Sequence, residues 1–194
     1  MLFRSGDIQR GSWMGAPITN KTKCDYERIS TNMNCTLMPH QKTFVENYAE
    51  LKDTHRLRGY LLSFGQGLGK TITAIALMEA LGKERVVVIC PKNTMVETWK
   101  SHFQRFYKKE QSVYVAGVDK EFTGQRFCVF NYDAIGKINS LPGLKIANLG
   151  IIVDECHNFL RQEAQRTQGL INLIKSGIAT DVLLVSGTPV KGGS

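Results

Sequence analysis

From Leu37 onward, short unbroken apolar runs alternate with longer stretches of helical character. Residues 39–53 predict a helix that opens at a proline, with Phe44, Tyr48 and Leu51 spaced for one face. Residues 59–64, 85–90, 112–115, 126–130, 149–153 and 182–185 predict strands. Residues 70–81, 94–107 and about 161–175 predict helices between them. Strand followed by helix, repeated, is the pattern of an α/β domain with a mainly parallel central sheet. Strands buried on both faces explain why runs such as Val86-Val87-Val88-Ile89-Cys90 are continuous rather than alternating. Residues 1–36 carry no clear periodicity and are expected to be an irregular extension ahead of a domain at 37–194.

Ligands of such sheets sit at the carboxyl ends of the strands, so the polar residues there carry the candidate chemistry. The first expected strand runs into Gly65-Gln66-Gly67-Leu68-Gly69-Lys70-Thr71, and a helix follows. Glycines let the backbone turn its N–H groups onto phosphate oxygens, and the helix N-terminus adds a favourable dipole. Lys70 would reach the β- and γ-phosphates of a nucleotide, and the Thr71 hydroxyl would ligate Mg²⁺. The strict pattern wants glycine at position 64, where this chain has Phe64. The alternative is a plain strand-to-helix turn.

A second candidate is Asp154-Glu155-Cys156-His157, at the end of the run Ile151-Ile152-Val153. Adjacent carboxylates at a strand end are costly unless a cation or polar groups face them. Asp154 is expected to hold Mg²⁺, Glu155 to orient or deprotonate an attacking water, and His157 to couple the site to a moving element. The alternative is an Asp-Glu pair capping a helix that starts near Phe159. Ser186-Gly187-Thr188-Pro189 ends the last strand and could relay hydrogen bonds from the phosphates, or be an ordinary turn.

Composition adds a partner. The 194 residues carry a formal charge of +8, which suits an anionic partner such as nucleic acid and, as an equal alternative, a merely basic soluble protein. Residues 83–109 hold seven Lys or Arg and two acids. The five cysteines include no C-x-x-C, which speaks against a disulfide framework and for a reducing, intracellular compartment. Cys24, Cys35 and His40 lack the spacing of a zinc site. No apolar run approaches the ~20 residues of a membrane span, and the first residues are too polar for a signal peptide.

Taken in order, Gly67-Leu68-Gly69-Lys70-Thr71, Asp154-Glu155-Cys156-His157 and Ser186-Gly187-Thr188-Pro189 resemble motifs I, II and III of superfamily 2 helicases and translocases. They are most similar to the Swi/Snf-like branch, including its viral and phage members. Leu37-Met38-Pro39-His40-Gln41 is similar to that branch's Q-type motif, which implies that Gln41 reads the adenine edge. Cys90-Pro91 with Trp99 and Phe103 is similar to motif Ia. Phe130-Asn131-Tyr132-Asp133 resembles the segment before motif II. The resemblance covers residues 37–191.

It implies a RecA-like three-layer α/β/α lobe of the P-loop NTPase class, with ATP and Mg²⁺ as cofactors. A second RecA-like lobe would supply an arginine finger, and the chain stops five residues after Pro189, so that lobe is expected outside it. The isolated lobe is therefore expected to bind nucleotide weakly and turn over little. Lys92, Lys100, Arg105, Lys108 and Lys109 would meet the backbone of double-stranded DNA without sequence preference, unless they are only a solvated helix face. Trp99 is expected in the core rather than as a base-stacking platform. The function expected is the N-terminal ATP-binding lobe of a DNA translocase. An RNA helicase of the same superfamily and a non-catalytic, nucleotide-responsive module remain as alternatives.

Overall fold

The computed structural model describes residues 2–4, 22–55, 57–63, 69–144, 148–157, 164–175 and 179–186. Seven strands form one sheet: β1 (Leu2–Arg4), β2 (Leu57–Ser63), β3 (Arg85–Cys90), β4 (Val113–Val115), β5 (Phe127–Asn131), β6 (Leu149–Val153) and β7 (Ala179–Ser186). Their spatial order is β1-β2-β7-β6-β3-β5-β4. Every pairing is parallel except that of β1 with β2. The mainly parallel sheet expected from the continuous apolar runs is thus present.

The sheet has two apolar faces because successive side chains of a strand point to opposite sides. Val87 and Ile89 of β3 and Ile151 and Val153 of β6 face one core, closed by Ile135 and Ile138 of a 3₁₀ segment (Tyr132–Ser140) and by Leu170 and Ile171. The last two belong to a helix over Ala164–Lys175. Val86, Val88 and Cys90 face the other core. There they meet α1 (Glu27–Asn32), α2 (Pro39–His55), α3 (Lys70–Ala80) and a helical segment running from Met95 to Arg105. The result is three layers, helix on sheet on helix. With α4 as Ser101–Arg105, the helix over Ala164–Lys175 is α5.

Three local features depart from the sequence expectation. The lead-in is not wholly irregular: Leu2–Arg4 pairs with the β2 edge and Glu27–Asn32 is helical. Ile29 and Met33, four residues apart, bury there, and Arg28 and Asn32 reach the buried Glu79 on α3. The expected helix over 94–107 begins as a π-helix, Met95–Lys100, before α4. Met95, Trp99, Phe103 and Tyr107 recur every four residues and all bury. In an α-helix that spacing drifts by about 40° per step. A wider turn offsets the drift and keeps all four on the sheet. Finally, the residues after β5 wind into the 3₁₀ segment, started by Asn131, whose side chain accepts the Ala134 amide.

At the amino-terminal edge of the sheet the charges are paired. Asp181 is buried against Lys52, Lys83 and the Tyr48 hydroxyl. Gly150 of β6 lies under α3, where a Cβ would meet Met78 Sδ at 2.5 Å, so the helix packs at backbone distance there. Among the described residues, no helix is long and apolar enough to cross a membrane.

Candidate functional site

The candidate residues gather at the carboxyl edge. β7 lies between β2, which leads to the glycine-rich turn, and β6, which leads to the acidic pair. Ser63 of β2 is level with Ser186 of β7, and Val153 of β6 with Leu184. At ~4.8 Å per strand, the two candidate segments start roughly 10 Å apart. A triphosphate with its cation fits such a gap.

Phe64, Gly65, Gln66, Gly67 and Leu68 lie outside the described residues; the turn is seen from Gly69. Gly69 is the N-cap of α3 in the left-handed conformation, with φ 71°. A Cβ there would also stand 2.3 Å from Gln41 Nε2, so glycine is required twice over. Gly69 has no side chain to cap α3, and among the described residues no side chain does so, which suits the first-turn amides to an anion. Lys70 and Thr71 stand in that first turn, both half-buried. Gln41, on α2, is buried; its Oε1 accepts the Met38 amide and its Nε2 donates to the Gly69 carbonyl. Gln41 therefore ties α2 to the end of the turn.

Asp154 follows β6 directly, and its amide donates to Ile89 of β3. Its Oδ2 accepts the Trp99 indole N–H at 2.9 Å, and its Oδ1 the Glu155 amide at 2.9 Å. Burial raises its pKa above the ordinary carboxylate value, and the Glu155 charge adds to this. The Trp99 bond and the Lys70 ammonium act the other way without cancelling the rise. Asp154 stands just past the end of β6, two strands from β2, on the same edge at which α3 begins.

Glu155 sits in the left-handed region, φ 51°, a costly conformation for a residue with a Cβ. The Tyr132 hydroxyl steadies it, sharing its proton between the carbonyls of Asp154 (2.7 Å) and Glu155 (3.1 Å). The Glu155 carboxylate lies 3.4 Å from His157 Nε2, and His157 Nδ1 lies 3.0 Å from Ser186 Oγ. A carboxylate only accepts, so the Nε2 that faces it is a protonated nitrogen, while Nδ1 lies within hydrogen-bond distance of the Ser186 hydroxyl. His157 therefore joins the end of β6 to the end of β7. Gly187, Thr188, Pro189 and Phe159 lie outside the described residues.

The donors fit a hard cation. Among the described residues, no cluster of three His, Cys, Asp or Glu is arranged to hold a metal. Mg²⁺ does not need one, since it is usually held by one or two protein oxygens together with substrate phosphates. A buried carboxylate that makes no ion pair among the described residues, on the edge where Thr71 begins α3, is compatible with such a set. Trp99 is fully buried, as its apolar neighbours predict. Its bond to Asp154 and the Tyr132 hydroxyl were missed at the sequence level. Both were signalled: a buried indole or phenol must place its polar hydrogen somewhere.

Comparison with known proteins bears on the family and the fold. Residues 34–191 match the ResIII family, described as type III restriction enzyme, res subunit. The chain belongs to the ResIII family. It is 28% identical over 194 residues to the SWI/SNF-related matrix-associated actin-dependent regulator of chromatin subfamily A-like protein 1 of Bos taurus, covering 97% of this chain and 19% of that protein. The protein of the same name from Xenopus tropicalis is 28% identical over 169 residues, covering 85% of this chain and 17% of its own length. This ResIII chain therefore spans less than a fifth of either relative. Among solved structures, the Sulfolobus solfataricus SWI2/SNF2 ATPase core in complex with dsDNA superposes with a TM-score of 0.63 at 17% identity, over 81% of this chain and 33% of that one. The fold is that of the RecA-like lobe of such a core.

Proposed function

We propose that this chain is the N-terminal ATPase lobe of a Swi/Snf-like, DNA-dependent translocase that uses ATP hydrolysis to move on double-stranded DNA. The observation that carries the proposal is the convergence of Lys70 and Asp154. They are remote in sequence, yet the sheet order β2-β7-β6 brings the start of α3 and the end of β6 to one edge with a single strand between. In this reading the open amides of α3 and the Gly65-to-Gly69 turn cradle the phosphates. Lys70 pairs with the β- and γ-phosphates. Thr71 and Asp154 hold Mg²⁺, which when bound offsets the charge of the transferring phosphoryl group.

Glu155, fixed by its turn and by His157, orients the attacking water and accepts its proton. Gln41 takes the adenine edge, and its bond to Gly69 passes adenine occupancy to the phosphate turn. Lys92, Arg105, Lys108 and Lys109 are exposed and Lys100 half-buried, which suits contacts with a phosphate backbone. A second RecA-like lobe supplies the arginine finger, and the assembly works inside the cell. The viral or phage branch draws no support from relatives in cattle and a frog.

The test is binding of a non-hydrolysable ATP analogue with Mg²⁺ to the 194-residue chain. Lys70→Ala should weaken it at least tenfold, the order of losing a charge-assisted bond of about 1.5–3 kcal/mol. Unchanged affinity overturns the phosphate-turn assignment. Rapid DNA-stimulated hydrolysis by the wild-type chain alone overturns the need for a second lobe.

A further inference from the structure

The indole of Trp99 has no exposed surface, and its one donor is spent on Asp154. With Oδ2 held by Trp99 and Oδ1 by the Glu155 amide, both carboxylate oxygens have a fixed direction. The remaining lone pairs are therefore aimed rather than free to swing. The two donors differ in kind. The Glu155 amide belongs to the same turn as Asp154 and moves with it. Trp99 comes from another element, the π-helix Met95–Lys100.

That element has an inner and an outer side. Inside, Trp99 packs against Phe103, ring centroids 6.1 Å apart, and Phe103 stacks on Phe127 at 4.0 Å. Lys92, just before the helix, is exposed, and Lys100, next to Trp99 in the chain, is half-buried. A π-turn is an uncommon winding, often found at functional sites. Tightening it to α would move the indole N–H relative to Asp154. Packed cores shift between discrete arrangements rather than deforming smoothly.

We propose that Trp99 is a positioning residue for the Asp154 carboxylate, and that through the π-turn it makes metal binding at Asp154 respond to polyanion contact on the Lys92–Lys100 side. This rests on the reading of Asp154 as a Mg²⁺ ligand. Trp99 touches neither nucleotide nor metal; it acts through the carboxylate it orients.

The test titrates Mg²⁺ into the chain with a non-hydrolysable ATP analogue, with and without a duplex DNA oligonucleotide, for wild type and Trp99→Phe. Analogue binding without metal should be the same in both. The Mg²⁺ midpoint should rise about tenfold in Trp99→Phe, as expected for loss of a hydrogen bond to a charged group. Duplex DNA should shift the wild-type midpoint and leave that of the variant unmoved. In wild type, the Trp99 side-chain N–H resonance, assigned by its loss in the variant, should move when Mg²⁺ binds.

An unchanged Mg²⁺ midpoint overturns the proposal, as does an equal loss of metal-free and metal-dependent binding, the mark of a merely structural role. A DNA effect that is absent in wild type, or equal in both proteins, overturns the coupling. If wild type binds the analogue with no Mg²⁺ dependence, the Asp154 assignment itself fails and the proposal falls with it. Should Trp99→Phe fail to fold, 3-benzothienylalanine at position 99 keeps the indole shape without the N–H, and the same outcomes apply.

Discussion

Asp181, on β7, and Asp154, just after the neighbouring β6, are both buried carboxylates, one near the amino edge of the sheet and one at its carboxyl edge. Burial pushes both pKa values up, but their surroundings diverge. Lys83 and Lys52, with the hydrogen bonds they make, bring Asp181 down to about 2. Asp154 has an indole, a turn amide and the Lys70 charge, and it stays above the ordinary value. Glu79 resembles Asp181: burial works against its charge, but Arg126 and the bonds from Asn32 and Tyr107 keep it low. The amino edge thus contains acids whose charge is matched. Among the described residues, the carboxyl edge leaves one without an ion-pair partner, where the proposed function needs a cation. Structural acids and site acids differ in how completely their surroundings answer them.

The sharpest way to break this contrast is at Asp181. Asp181→Asn leaves two buried lysines facing a neutral amide, and should cost about 3–5 kcal/mol of stability. Denaturant unfolding measures it, and a loss below about 1 kcal/mol would mean that Lys52 and Lys83 do not depend on this acid. The pH dependence follows from the same contrast. A folded pKa near 2, against ~3.9 unfolded, makes the Asp181 contribution complete above pH ~4 and lost as pH falls towards 2. Wild type should therefore lose about 2 kcal/mol more than Asp181→Asn across that window.

A smaller effect is expected at Tyr132, which supports the site rather than a charge. Its hydroxyl is the bond that the structure gives to the Glu155 carbonyl in the strained turn. Tyr132→Phe keeps the ring and should cost about 1 kcal/mol in thermal unfolding. Loss of Mg²⁺-dependent analogue binding should exceed loss of stability if the hydroxyl holds the Asp154–Glu155 turn. Equal losses would reduce Tyr132 to packing.

Much of this architecture was legible in the chain. Val86 to Cys90 and Leu149 to Val153 read as buried strands because parallel strands have no polar face to interrupt them. The start of α3 was legible from Gly69-Lys70-Thr71. The π-winding was not, because the four-residue spacing of Met95, Trp99, Phe103 and Tyr107 already satisfies a helical reading, and the choice of turn width belongs to the sheet beneath. Helix α1 was hidden because six residues carry too little periodicity, and its anchor, Glu79, is remote in sequence. The matched cluster at Asp181 was invisible for a related reason. Lys52, Lys83 and Asp181 are each ordinary surface residue types, and only the fold brings them together. Polar partners joined by tertiary packing leave no local spacing to read.

The smallest effect expected is also the one that separates the two acids by sign. Because the folded pKa of Asp154 is raised, its contribution to stability is fully present below ~3.9 and is lost as pH rises through the folded value. At neutral pH the ionised group is therefore a cost to the empty fold. Asp154→Asn mimics the neutral form and should stabilise the chain, with the gain shrinking below pH ~4. An amide keeps one acceptor where the carboxylate has two, so either the Trp99 indole N–H or the Glu155 N–H loses its partner. The gain should thus fall near the low end of the ~0.5–2 kcal/mol seen when site residues are replaced by better-fitting ones. The same variant should lose Mg²⁺-dependent analogue binding. Thermal unfolding at pH 7 without nucleotide or metal decides the matter. A destabilised Asp154→Asn would mean that this carboxylate is answered as fully as Asp181, and nothing at the carboxyl edge would then be left for a cation to do.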